Sequence, residues 1–272
     1  MSPVLETREL SRRFGGVDAV ADVSVAVEPG TVLGIIGPNG AGKSTLINLI
    51  TGHVKPSHGR VMVDGRDVTG RKPWAIAKER VARTFQIVKP FRNLTVRENV
   101  AIGAMYGPEH AGSAREAIEQ ADEALERVGL ADRAELSPGD LSVADARRLE
   151  LAKALAMRPR VLLLDEVMAG LRPDEIEPSL ELIRSLRDDG VTILVVEHVM
   201  KAIMAVSDEV LVMHEGRELT RGAPDDVVKD ERVIEAYLGE RYARRAGGEG
   251  APGSAPDEGA APPAPEDGDA PS

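Results

Sequence analysis

Nine consecutive residues, Gly37-Pro38-Asn39-Gly40-Ala41-Gly42-Lys43-Ser44-Thr45, satisfy the pattern G-x-x-x-x-G-K-[ST]. Glycines at these spacings let a loop wrap closely enough for its backbone N–H groups to point at phosphate oxygens. A helix opening directly after it adds the partial positive charge of its N-terminus. In such a loop Lys43 reaches the β and γ phosphates of a nucleotide, and the Ser44 hydroxyl ligates Mg²⁺. The second half of a site of this kind is an acid at the end of a buried strand. Val161-Leu162-Leu163-Leu164-Asp165-Glu166 supplies it. Asp165 is expected in the Mg²⁺ shell, and Glu166 is placed to orient or deprotonate an attacking water. A third apolar run ends in Glu197-His198, which puts His198 within reach of a γ-phosphate or its water. Val81 to Phe85 is expected to form a strand, and Gln86 at its end is a weaker candidate for contact with Mg²⁺ or water.

These residues need rigid elements to converge. Val32 to Ile36, Val161 to Leu164 and Val191 to Val196 are near-continuous β-branched or Leu runs, the pattern of parallel strands covered on both faces. Helical periodicity between them predicts a doubly wound α/β sheet. Val23, Val25 and Val27 alternate with smaller or polar residues, which predicts a half-buried antiparallel strand. Val61 to Val63 followed by Asp64-Gly65 predicts a strand ending in a tight turn. Ser113 to Val128 reads as a helix with Ser113 and Glu116 spaced as a capping box and Gly129 as its stop. Ser142 to Met157 reads as another helix. With Thr95 to Ala104, these segments predict a helical insertion over about residues 90–158.

Composition narrows the classes. The 272 residues carry 34 Lys+Arg against 45 Asp+Glu, a net charge of −11, so a function coating nucleic acid is not expected. Cysteine is absent, which excludes disulfides and Cys-based metal sites. The apolar runs fall far short of the roughly 20 residues needed to cross a bilayer, and no signal peptide is visible. These features predict a soluble cytosolic chain. Residues 241–272 are rich in Ala, Pro, Gly and acids and are expected to be a disordered tail, leaving residues 1–240 as the folded unit.

Taken in order, GPNGAGKST, the Gln of RTFQ, VLLLDE and the His of VVEH resemble an ABC-type ATPase over about residues 1–240. RTFQIVKPFRNLTVRENV, the AGL after the acid pair, VEHVMKAIMAVSDEVLVMHEG and the ending VIEAYLGE are more narrowly similar to the ATP-binding subunit of branched-chain amino-acid importers. The resemblance implies a P-loop NTPase fold of the ABC ATPase type. It combines a mixed central sheet with an N-terminal antiparallel β subdomain and a helical insertion. It also implies two ATPase chains, alike or different, sandwiching two ATP with Mg²⁺. They dock on two transmembrane permease subunits at the cytoplasmic face of the membrane and are served indirectly by an extracytoplasmic solute-binding protein. Phe14, a scarce aromatic beside Gly15-Gly16, is then the ring on which adenine stacks. Gln86 to Asn99 becomes the segment expected to cradle a permease helix, through Phe91 or Leu94.

Two departures from the family pattern stand out. Where the family reads L-S-x-G-Q, this chain reads Leu141-Ser142-Val143-Ala144-Asp145. Ser142 remains as the residue implied to grip the partner's ATP. Asp145 adds an anion whose repulsion of that phosphate is about 3 kcal/mol at about 6 Å and an effective dielectric of about 20. The alternative is that Asp145 turns inward and caps with Ser142, leaving the backbone donors open. Arg172 and Val167 likewise replace the family's Asp or Asn and Pro. Together these changes predict unequal composite sites. Alternative functions are a urea, amide or lipopolysaccharide transport ATPase, or a regulatory subunit impaired in hydrolysis. DNA-repair and translation ATPases are disfavoured, since the chain has neither a long coiled-coil insertion nor a second ATPase domain.

Overall fold

The computed structural model describes residues 2–85, 89–109, 111–168, 170–197 and 199–237. Gln86, His198 and the expected tail at 241–272 lie outside the described residues.

Two sheets form the frame. Strands β1 (Leu5–Phe14), β2 (Val17–Val27), β4 (His58–Val63) and β5 (Arg66–Asp67) make an antiparallel sheet in the order β2-β1-β4-β5. The second sheet runs β10-β9-β3-β8-β7-β6, from β3 (Val32–Ile36), β6 (Val81–Arg83), β7 (Val161–Asp165), β8 (Thr192–Val196), β9 (Glu209–His214) and β10 (Arg217–Gly222). Its strands are parallel except β10, which is antiparallel to β9, so the sheet is mixed.

The apolar runs of β3, β7, β8 and β9 look uniform in sequence, but the pleat divides them between two cores. Leu33, Ile35, Leu163, Leu194, Val196, Leu211 and Met213 pack with the antiparallel sheet and with helix α1 (Lys43–Ile50). Their neighbours Val32, Ile36, Leu162, Leu164, Ile193, Val195, Val210 and Val212 pack on the other face. That face is closed by helices α6 (Pro173–Asp188) and α7 (Met200–Val206). A short helix α2 (Pro73–Ala77) precedes β6, and α8 (Pro224–Val227) follows β10.

Between β6 and β7 lie α3 (Val96–Tyr106), α4 (Ala114–Arg127) and α5 (Val143–Leu155), with two 3₁₀ turns at Ala131–Arg133 and Pro138–Asp140. Thr95 and Glu98 form a reciprocal capping box on α3. On α4 the expected box is half made. The Ser113 hydroxyl accepts from the Glu116 amide at 3.2 Å, but the Glu116 carboxylate reaches one residue further back and accepts from Gly112 N–H at 2.7 Å. Gly129, at φ 70°, follows α4 in the left-handed conformation that terminates a helix. The strand expected over Val81 to Phe85 stops at Arg83, because the chain leaves the ladder just after Thr84 N–H donates to Leu163 O at 2.9 Å.

Candidate functional site

The glycine loop connects β3 to α1, and two of its glycines are required by contact. Gly37 has φ 151°, and a Cβ there would lie 2.1 Å from the Met213 carbonyl oxygen. At Gly42, with φ 98°, a Cβ would lie 2.3 Å from the Ala19 carbonyl oxygen. The loop is thus wedged between β9 and β2, and no side-chain-bearing residue fits either position. The amide of Gly216 donates to Ala41 O and the amide of Ala21 to Gly216 O, which ties the β9–β10 turn to the loop and to β2.

Lys43 is buried, and its ammonium donates to the carbonyl oxygens of Gly37 at 2.7 Å and Pro38 at 2.9 Å. Its own loop therefore holds it across the mouth of the turn. The loop and the first turn of α1 line a cavity of ≈ 220 Å³, together with Ala19 and Glu166. A second cavity, of ≈ 580 Å³, shares Ser44 and is lined also by Asn48, Arg83, Asp165, Phe85 and Phe91. Ser44 lies where the two meet, with Glu166 on one side and Asp165 on the other.

Asp165 ends β7, and its carboxylate is buried. Arg83, from the neighbouring strand β6, donates to Asp165 Oδ2 at 2.7 Å and to Asn48 Oδ1 at 2.6 Å. Arg83 stands three residues before Gln86 in the RTFQ segment, and sequence reading passed over it. Its signal was position, because β6 pairs in parallel with β7 and sets Arg83 opposite Leu163. His53 stacks edge-on against Phe85 at 5.6 Å between ring centroids. Burial, and then the charge of Arg83, lower its pKa, opposed by a hydrogen bond with Thr51.

Glu166 continues the β7–β8 ladder by one bond, from its amide to Val196 O at 2.9 Å, and then turns the chain at φ 52°. Two further residues missed in the sequence hold this turn. Arg147 of α5 donates to Glu166 O at 2.7 Å, and the buried Glu197 accepts from the Met168 amide at 2.6 Å. Val167, which takes the family's Pro position, flanks the turn on the wall of a third cavity, between α4, α5 and α6.

Phe14 ends β1 opposite Val17 and is 45% exposed, with the Arg12 guanidinium 4.6 Å from its ring centroid. The strand paired with it, β2, carries Ala19 into the lining of the loop cavity, while Phe14 itself is not among the lining residues.

At the start of α5 the inward alternative for Asp145 holds. Ser142 is the N-cap, accepting from the Asp145 amide at 3.1 Å and donating to Asp145 Oδ2 at 2.5 Å. Asp145 is buried and ion-paired to Arg133, with Arg148 at 3.7 Å. Its charge is therefore matched inside the protein instead of projecting from the helix end. Arg172, at the N-cap of α6, is exposed and pairs with Asp174 at 3.2 Å and Glu175 at 3.3 Å.

Comparison with known proteins agrees with this frame. A family model described as ABC transporter matches residues 20–169, and one described as branched-chain amino acid ATP-binding cassette transporter matches residues 217–243. The chain is 41% identical over 251 residues to the high-affinity branched-chain amino acid transport ATP-binding protein BraF of Pseudomonas aeruginosa, covering 88% of this chain and 98% of that protein. It is 38% identical over 251 residues to LivG of Escherichia coli strain K12, with the same coverage of 88% and 98%. An ATP-binding cassette of an ABC transporter, crystallised in its ADP conformation, superposes with a TM-score of 0.80 at 32% identity, covering 88% of this chain and 100% of that one. A dimeric cassette bound to ADP and Pi superposes at 0.73 with 25% identity, covering 81% and 98%. The chain belongs to the ABC transporter family, as an ATP-hydrolysing, nucleotide-binding cassette subunit of the branched-chain amino-acid type.

Proposed function

We propose that this chain binds MgATP in the Gly37–Thr45 loop, closes against a second ATPase chain, and drives branched-chain amino-acid uptake through two transmembrane permease subunits at the cytoplasmic face of the membrane. The observation that carries this reading is the meeting of the two cavities at Ser44, with Lys43 and Glu166 on one wall and Asp165 on the other. Curated relatives named for branched-chain amino-acid transport favour that cargo over the urea, amide and lipopolysaccharide alternatives. They likewise favour a working ATPase over an impaired regulatory subunit. An extracytoplasmic solute-binding protein completes the proposed system. Among the described residues no helix is long and apolar enough to cross a membrane, which is compatible with docking onto membrane partners.

The residues present suit the groups assigned to them. Ser44 and Asp165 are hard oxygen donors on one cavity wall, the donor type Mg²⁺ takes. When bound, the ion neutralises phosphate charge. Lys43 and the loop amides bind the phosphates, and Phe14 stacks on the base. Glu166 accepts a proton from water, with His198 and Gln86 assigned beside it by the family pattern. Ser142 and the N-terminus of α5 are assigned to the partner's ATP, and the segment through Phe91 and Leu94 to a permease helix. Lys43 supplies charge stabilisation of a kind whose loss typically costs about 3 to 4 kcal/mol. ATP turnover by purified wild-type, Lys43→Ala and Glu166→Gln protein tests the assignment. Both variants should lose turnover, and retention by Lys43→Ala would refute it.

A further inference from the structure

Glu166 is a non-glycine residue at φ 52°, a left-handed conformation that persists only where the surroundings enforce it. Three bonds among the described residues hold it here. The Glu166 amide is held by Val196 O, the Met168 amide by the buried Glu197 carboxylate, and the Glu166 carbonyl by Arg147 Nη1. Two of these partners belong to β8 or the residue after it, within the same rigid sheet. Arg147 does not. It lies in the second turn of α5, the helix capped by Ser142, which packs against α3 and α4. Arg147 also lines the third cavity, of ≈ 300 Å³, together with Leu151, Leu164, Val167 and Leu171. Besides the apolar packing of α5 against Met168 and Val167, this guanidinium is the polar tie shown from α5 to the Glu166 turn, and it reaches a single carbonyl oxygen.

We propose that Arg147 is a positioning residue that fixes the Glu166 peptide, and hence the aim of its carboxylate, and so makes the hydrolytic step depend on where α5 sits. This rests on the reading of Glu166 as the group that acts on water. A displacement of α5 away from the sheet withdraws the guanidinium, frees the peptide to relax from its left-handed state and swings the carboxylate off the loop cavity. Nucleotide binding, which uses the loop amides and Lys43, is untouched by that change. The geometry thus separates binding from turnover within one chain.

The test uses the complete transport complex purified through a tag on this chain. Arg147→Met keeps an unbranched apolar stem suited to the cavity walls and removes every donor, whereas Arg147→Lys keeps one charged donor. Expected for Arg147→Met is a 10- to 100-fold lower kcat, with the KM for ATP and the affinity for a non-hydrolysable ATP analogue within about twofold of wild type. Arg147→Lys should recover part of the loss. Should the Met variant fail to fold, the Lys variant carries the same test, as a fall in kcat at unchanged analogue affinity. Turnover within threefold of wild type in the folded variant, or a loss carried by KM, overturns the proposal. Glu166→Gln run in parallel separates the two readings. If it retains turnover, the role of Glu166 fails. If it abolishes turnover while Arg147→Met does not, only the role of Arg147 fails.

Discussion

The carboxylate of Asp145 lies 2.5 Å from the hydroxyl of Ser142 and accepts its hydrogen, while the Asp145 amide donates back to the same oxygen at 3.1 Å. An acid in place of the family's Gln, read along the chain, is a negative charge aimed at a partner's phosphate. Folded, it is the inner member of a cap, paired to Arg133 and flanked by Arg148. Removing Ser142 as Ser142→Ala should cost about 1 kcal/mol in chemical denaturation, the usual loss for an N-cap. Arg133 is partly exposed, so Arg133→Gln should cost no more than about 1 kcal/mol. In an Asp145→Asn background that cost should vanish, and additive losses would show that the two residues act independently.

Arg83 and Asp165 form a buried pair at 2.7 Å, with both side chains about nine-tenths covered. Leaving one member without the other strands a charge in a poorly solvated place. Arg83→Met should therefore destabilise the protein by about 3 to 5 kcal/mol in urea unfolding. Arg83→Met with Asp165→Asn should be milder than the single change. A single-variant loss below about 1 kcal/mol would show the pair to be well hydrated.

Gly42 combines a positive φ with a 2.3 Å approach to the Ala19 carbonyl oxygen. Gly42→Ala must push the loop off β2, and it should abolish nucleotide binding measured by calorimetry. Gly65→Ala is the control. It also sits at positive φ, but nothing lies within 4 Å of its added Cβ, so it should leave nucleotide affinity unchanged.

Phe14→Ala should weaken ATP binding about 2- to 13-fold, the range expected from losing one aromatic stack of about 0.5 to 1.5 kcal/mol. Phe14→Tyr should retain it. Equal affinity of Phe14→Ala for ATP would place adenine elsewhere.

His53 has its pKa lowered by burial and by the Arg83 charge, so below about pH 6.5 the unfolded chain binds this proton more readily than the folded one. Its contribution is fully present above that pH and falls as pH drops toward the folded value. Urea midpoints measured from pH 7.5 to 5 should decline less in His53→Asn than in wild type. The difference should be small, because the ring is largely exposed.

Much of this protein is legible in the sequence because the information is local. GPNGAGKST specifies a turn that only glycine can make at Gly37 and Gly42, and a helix start immediately after it. Near-continuous Val, Ile and Leu in β3, β7 and β8 mark strands covered on both faces. Ser113 with Glu116 announces the start of α4. These signals need a few neighbouring residues and the geometry of one element.

Other features depended on which distant segments meet. The sequence contained Arg83, Arg147 and Glu197 but gave no reason to single them out. Arg83 matters because parallel pairing of β6 and β7 sets it beside Asp165, and Arg147 because α5 brings its guanidinium to the carbonyl of Glu166. The direction of Asp145 was undecided for the same reason: a carboxylate at a helix start points outward or inward according to whether a cation waits inside. Arg133, 12 residues upstream on a 3₁₀ turn, is that cation. Residue type and spacing set which groups can do chemistry. Burial and charge pairing between segments far apart in the chain decide where each of those groups is aimed.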